Sequence, residues 1–203
     1  MPPTDTKTSA TDPATATSPG PAPSASSRPS GPRPRARGDL GAEPVERLEA
    51  EVIDLSARLA SGTYELLVLV GELDHRGSWA TWGALSCAAW LADCCGIEVG
   101  TARTQVRVAR AMRQFPALDQ AMASGDVSYA KARVLAAYLT ETNVDDLLGI
   151  AAASPAGRLG AAIAAWSQRN DDPDTIRRRQ HDARSASWRT APDGMVVLTA
   201  RLT

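Results

Sequence analysis

Histidine is nearly missing from this chain of 203 residues: His75 and His181 are the only two, and neither stands at metal-ligand spacing from Cys, Asp or Glu. A zinc site and any metal cofactor are therefore not expected. Cysteine is almost as scarce, and the odd set Cys87, Cys94 and Cys95, two of them adjacent, cannot make a disulfide framework. These thiols are expected to be reduced and in the core. The longest apolar run, Leu66 to Val70, is far short of the ~20 residues that span a bilayer, so no membrane helix is expected. The N-terminus lacks the apolar stretch of a secretory signal, and Asp5 and Asp12 weigh against a transit peptide. A cytoplasmic protein is expected. There is no Gly-rich phosphate loop and no nucleophile elbow. Asp74 and His75 near Glu72 suggest an acid-base pair, but a polar helix end beside Gly77 accounts for them without chemistry. No catalytic residue is assigned, and the chain is not expected to be an enzyme by itself.

What is present divides in two. Ten of the 14 prolines fall between Pro2 and Pro44, among Ser, Thr, Ala and Gly, and Leu40 is the first large apolar residue after Met1. Such a stretch cannot bury enough surface to offset the entropy of ordering it, so residues 1–42 are expected to be a disordered tail. Arg33, Arg35 and Arg37 within it serve solubility, or reach DNA as a basic arm. Residues 43–203 are expected to fold as one helical domain ending in a β-hairpin. Formal charge is near neutral overall, but nine acids oppose two arginines from Asp39 to Asp74, whereas six bases oppose three acids from Ile97 to Leu135. The centre of the chain is basic.

Apolar spacing predicts helices throughout. Glu43 to Ala60 carries Val45, Leu48, Val52, Leu55 and Leu59 at alternating steps of three and four, with an acidic outer face. Gly62 breaks the pattern, which resumes from Tyr64 to Asp74, and the two pieces are expected to pack as a hairpin. Ser86 caps a helix to Cys95, ended by Gly96; Thr101 to Phe115 is the next; Pro116 opens a short element that stops at Gly125. Ser128 caps a helix to Leu139, Val144 to Ala153 is another, and Ser154 with Pro155 opens one to Gln168. The Arg177 to Arg179 run lies on a further helix. Ser185 to Thr190 and Met195 to Leu202 then alternate as strands about the turn Ala191-Pro192-Asp193-Gly194. A lone hairpin is marginal in water, so this one is expected to pack on the helices or join a larger sheet.

The segment from Leu91 to Ala102 carries the functional signal. A helix-turn-helix unit needs a small residue where its helices cross, a glycine at the bend and apolar residues flanking it; Ala92, Gly96, Cys95 and Ile97 supply these. On the second helix Ala102, Val106 and Ala109 share one side, while Arg103, Arg107, Arg110 and Gln114 cluster on another. Arginine forks suit phosphate oxygens and the guanine edge, so this stripe is a candidate for duplex DNA. The plainer alternative is a solvated basic face. Lys131 and Arg133 lie in the first turns of the Ser128-capped helix, where their charge opposes the helix dipole and a phosphate would relieve the conflict; solvation explains each as well. Asp171, Asp172, Asp174 and Asp182 are placed to neutralise the Arg177 to Arg179 run.

From Tyr64 onward the sequence resembles the domain of unknown function 222, or 13E12 repeat, family of high-GC actinobacteria. The likeness is carried by Gly71-Glu72-Leu73-Asp74, Trp82-Gly83-Ala84 with Ser86, Trp90-Leu91-Ala92, Gly96-Ile97, Gly100-Thr101-Ala102-Arg103, Val106 to Ala111, Gly125 to Lys131 and Asp193-Gly194-Met195. The resemblance implies a module that precedes an HNH nuclease in many members. Those nuclease residues map onto nothing here, and the chain is expected to be a truncated frame or a fragment. Glu98 and Val99 stand where the family often has Ser or Asp and then Pro, and Gln105 stands where a helix-turn-helix wants an apolar residue. The turn is accordingly expected to be one residue longer than standard. The resulting expectation is a non-catalytic DNA-binding module; the alternatives are a protein-interaction scaffold, docking on a separately encoded nuclease for instance, and a remnant of an endonuclease.

Overall fold

The computed structural model describes residues 40–202, so the expected tail and its three arginines lie outside the described residues. Within them the chain is mainly helical, and its order matches the apolar spacing closely. Helix α1 (Val45–Arg76) is followed by a 3-10 turn (Ser78–Trp82), α2 (Cys87–Cys95), α3 (Val99–Gln114), α4 (Pro116–Ala123), α5 (Tyr129–Leu135), α6 (Val144–Ala153), α7 (Leu159–Asn170) and α8 (Pro173–Asp182). An antiparallel hairpin, β1 (Ser185–Thr190) and β2 (Val196–Arg201), closes the described chain.

Helix α3 is the centre of the packing, with α1, α2, α4 and α5 against it, while α6 links α4 and α5 to α7. The core is aliphatic. Leu67, Leu91, Val108, Leu118, Leu135, Leu147, Leu159 and Ile163 are fully buried, and no polar or charged residue is buried among the described ones. Aromatic residues make up only 4 % of the chain, so alanines fill the crossings instead. Ala102, Ala109, Ala132 and Ala151 are buried, and their small volume lets helix axes come close. Helix α1 comes close to α3 at Gly71. A methyl group at Gly71 would stand 3.3 Å from the Ala109 carbonyl oxygen and 3.3 Å from Cδ of Arg113.

Three expectations change. First, α1 runs unbroken through Gly62, so the pair of helices packed as a hairpin is instead one helix of 32 residues. A single interior glycine costs a helix about 1 kcal/mol but ends it only by turning left-handed. Gly77, Gly83, Gly96, Gly125 and Gly194 take that conformation; Gly62 does not. Second, Ser154 ends α6 in extended conformation rather than capping α7, and Pro155 to Arg158 form a turn in which Arg158 and Leu159 both donate to the Pro155 carbonyl, which moves the start of α7 to Leu159. Third, α5 stops at Leu135, because Ala137 and Tyr138 bond back three residues and tighten the chain before Leu139.

The hairpin pairs Trp188 with Leu198 and Thr190 with Val196, so Ala186, Trp188, Val196, Leu198 and Ala200 share one face. Every strand residue is exposed, with Trp188 at 76 %. The expected packing on the helices is thus confined to its end, where Arg201 and Leu202 line a cavity with α7 and α8.

Candidate nucleic-acid interface

The Ser86 hydroxyl accepts the Ala89 amide at 3.1 Å and starts α2 as its spacing predicts. At the far end Gly96 turns left-handed, and the amides of Gly96 and Ile97 both close on the Ala92 carbonyl, a bend that reverses the chain in one step. Only Gly96, Ile97 and Glu98 separate α2 from α3. The turn is therefore at the short end of the usual three to four residues, not lengthened, and Val99 and Gly100 belong to α3. Ala92 is buried at the crossing and Ile97 packs on the core, as a helix-turn-helix requires; Cys95 is exposed. Gln105 remains a departure: its side-chain oxygen is buried without a hydrogen-bond partner.

Helix α3 presents the two faces read from the wheel. Ala102, Val106 and Ala109 are buried, together with Val108, Ala111 and Met112, because four helices enclose α3 rather than one. Arg103, Arg107, Arg110 and Gln114 are exposed. They are not equivalent. The Arg110 guanidinium donates from Nε and Nη2 to the Asp74 carboxylate at 2.6 and 2.9 Å, a two-pronged bond across helices. Arg113, which the wheel does not single out, bonds Glu72 at 2.7 Å, and Arg76 bonds the same carboxylate at 2.6 Å. Lys131 is also committed, donating from Nζ to the Ala151 carbonyl at 2.7 Å. Arg110 and Lys131 thus each have a partner within the fold, whereas other cations of the expected set do not share that arrangement.

Arg103, Arg107 and Arg133 have no carboxylate within 4 Å among the described residues. The fold brings two of them together. Arg107 of α3 and Arg133 of α5 line an open cleft of about 350 Å3 with Thr101, Thr104, Tyr129 and Val134. The spacing Tyr129 to Arg133 is one helical turn, so both face the cleft from α5. Burial raises the Tyr129 phenol above its ordinary pKa, while Arg133 and Arg107 pull it down, which places both guanidinium groups in its electrostatic reach. Glu98 also borders the cleft, its carboxylate folded over Gly100. The cleft thus offers two cations, three hydroxyls and one opposing anion. Nothing in the spacing of α3 alone predicts Tyr129 or the threonines, since the cleft depends on how α5 docks.

The Asp74 network decides the cysteines. Asp74 lies below its ordinary carboxylate pKa, held there by the Arg110 hydrogen bonds and further by the Cys87 thiol and His75. In turn, burial and the nearby Asp74 charge push the Cys87 thiol up to about 11. Cys87 is a core thiol as expected, but Cys94 is half-buried and Cys95 exposed. Native protein titrated with a thiol reagent near neutral pH is expected to react first at Cys95 and to leave Cys87 unmodified until unfolded. Rapid labelling of Cys87 in the native state would contradict this arrangement. Among the described residues no group of three His, Cys, Asp or Glu side chains comes together to hold a metal ion. The acidic neighbours of α8 do neutralise it in part, since Arg177 pairs with Asp174 and Arg179 with Asp171. No helix among the described residues is long and apolar enough to cross a membrane.

Comparison with known proteins agrees with the likeness seen in the sequence. A family model described as Domain of unknown function (DUF222) matches residues 46–203, which takes in every helix from α1 onward and the hairpin. No curated protein and no solved structure matches the chain. With the match extending over most of its length, the chain belongs to the domain of unknown function 222 family.

Proposed function

We propose that the chain is a non-catalytic, cytoplasmic module that binds duplex DNA through the exposed face of α3 and the cleft beside it. The observation that carries this reading is the convergence of Arg107 and Arg133, from separate helices, on one open cleft lined with hydroxyl groups. Arg103 lies one turn before Arg107 on the same exposed face and extends the cationic surface; Gln114 lies at the far end of α3. Two guanidinium groups without a carboxylate partner among the described residues suit consecutive phosphates of a backbone at such a cleft, and binding through phosphates is tolerant of sequence.

The salt dependence of binding separates true contacts from spectators. Removing one phosphate contact flattens the slope of log K against log salt by about 0.9. Arg107→Ala and Arg133→Ala are each expected to flatten it by that amount on a duplex measured by fluorescence anisotropy. Arg110→Ala is expected to leave it unchanged, because its guanidinium is held by Asp74. Glu98→Gln, which removes the anion from the cleft, is expected to tighten binding. Equal slopes for the wild type and both cleft variants remove this face from the reading.

A second reading is favoured by the hairpin. Its exposed face of Trp188, Val196 and Leu198 is suited to docking another polypeptide, such as a separately encoded nuclease of the HNH type. A complex that survives moderate salt and is abolished by Trp188→Ser would favour this scaffold role over DNA binding.

A further inference from the structure

The first half of α1 buries none of its residues. Of its 32 residues only Leu67, Val70 and Gly71 are buried, all in the C-terminal half that packs on α3. Nothing from Val45 to Gly62 is buried, yet this half carries Val45, Leu48, Val52, Leu55 and Leu59 on one side. Four of the five are exposed, at 63, 67, 49 and 63 % for Val45, Val52, Leu55 and Leu59. The steps of three and four then continue through Gly62 to Leu66, Leu69 and Leu73 without a slip. This period of 3.5 differs from the 3.6 of a straight helix, and the mismatch is removed when two helices wind about each other. A helix packing on a globular core needs no such strict alternation. The buried residues Leu67, Val70 and Gly71 lie beside the seam, which meets the core only at Leu73.

We infer that this seam pairs with the same seam of a second copy, so that the protein is a dimer held by α1. The chain's own N-terminal segment cannot fill the role, since Met1 and Leu40 are its only large apolar residues before Val45. Charges beside the seam set the direction. Glu51 and Arg58 flank it at equivalent heptad positions, one turn of the repeat apart. In a parallel pair Glu51 meets Ser56 and Arg58 meets Thr63 of the other copy, with no charge matched. In an antiparallel pair Glu51 of each copy meets Arg58 of the other, twice over, and Leu48 packs on Leu59 with Val52 on Leu55. Within one copy Arg58 bonds Asp54, and Glu51 has Arg47 among its contacts, both pairs lying on the surface of one helix, where such bonds are individually weak. The antiparallel pair also carries the two helical bodies to opposite ends.

Light scattering on size-exclusion eluate tests the whole chain. The expected mass is twice 21.4 kDa at tens of micromolar. Leu55→Glu is expected to weaken the dimer more than tenfold, with the melting of the helical body unchanged because Leu55 is exposed and outside the core. Arg58→Glu is expected to weaken it as well by opposing like charges, and adding Glu51→Arg to that variant is expected to restore it. A monomeric wild type overturns the proposal, as does a dimer indifferent to Leu55→Glu or one indifferent to the charge exchange. DNA is absent from these measurements, so their outcome is separate from the DNA-binding reading.

Discussion

Leu67→Ala is expected to lower the unfolding free energy by about 3 kcal/mol, within the 2 to 5 kcal/mol span of buried leucine truncations. Leu67 is fully buried where α1 crosses α3, and it borders a groove with Ala109 and Met112. The helices there are spaced by Gly71 and Ala109, so the backbones already touch and cannot settle further to close the void. The loss therefore includes the cost of a lasting cavity as well as of the lost apolar burial. For a domain of this size, about 3 kcal/mol lowers the melting temperature by roughly 10 °C. Leu85→Ala is the control: Leu85 is 94 % exposed and should change stability by less than about 0.5 kcal/mol. Chemical denaturation of both variants checks the contrast, and equal stabilities would mean that α1 does not seat on α3 as described.

Asp74→Asn is expected to cost about 2 kcal/mol near neutral pH, since it removes a charged acceptor shared by the Arg110 fork and the Cys87 thiol. Its side chain is only 10 % exposed, so water replaces these bonds poorly. The pH dependence is set by the direction of the shift. Asp74 titrates below its ordinary 3.8 in the folded protein, so its contribution is complete above that value and is lost as pH falls through the folded pKa. Glu72, held down by Arg76 and Arg113, and Asp171, held down by Ser167 and Arg179, act in the same direction. The wild type should therefore lose stability on acidification below about pH 4, while Asp74→Asn converges on it there. A difference that persists undiminished into strong acid would show that the charge is not the cause. The same variant frees Arg110 on the exposed face of α3. If that face holds DNA, the salt slope should steepen as Arg110 becomes available.

Local signals are legible wherever the chain itself decides. The Ser86 cap, the Gly96 bend, the Pro116 start of α4 and the register of the hairpin turn are set by residues within a few positions of one another. The buried and exposed sides of α3 also emerge from its spacing, because period alone fixes which residues share a side. Gly62 misleads because glycine weakens a helix without stopping it, and the apolar spacing resumes directly after it. The partner of Arg110 lies 36 positions away, so no local pattern could separate Arg110 from Arg107. The cleft is illegible for the same reason. Arg107 and Arg133 become neighbours only when α5 docks on α3, and the commitment of Lys131 to the Ala151 carbonyl needs α6 in place as well.

The contact of Gly71 with Ala109 also has a mechanical meaning. Two backbones in direct touch, with Asp74 clamped to Arg110 one turn further on, leave α1 no freedom to slide or roll over α3. The 32-residue rod is thus a lever gripped at one end, about 48 Å long at 1.5 Å per residue. A load on its N-terminal end therefore bears on the arginine-bearing helix through the contacts at Gly71 and Asp74.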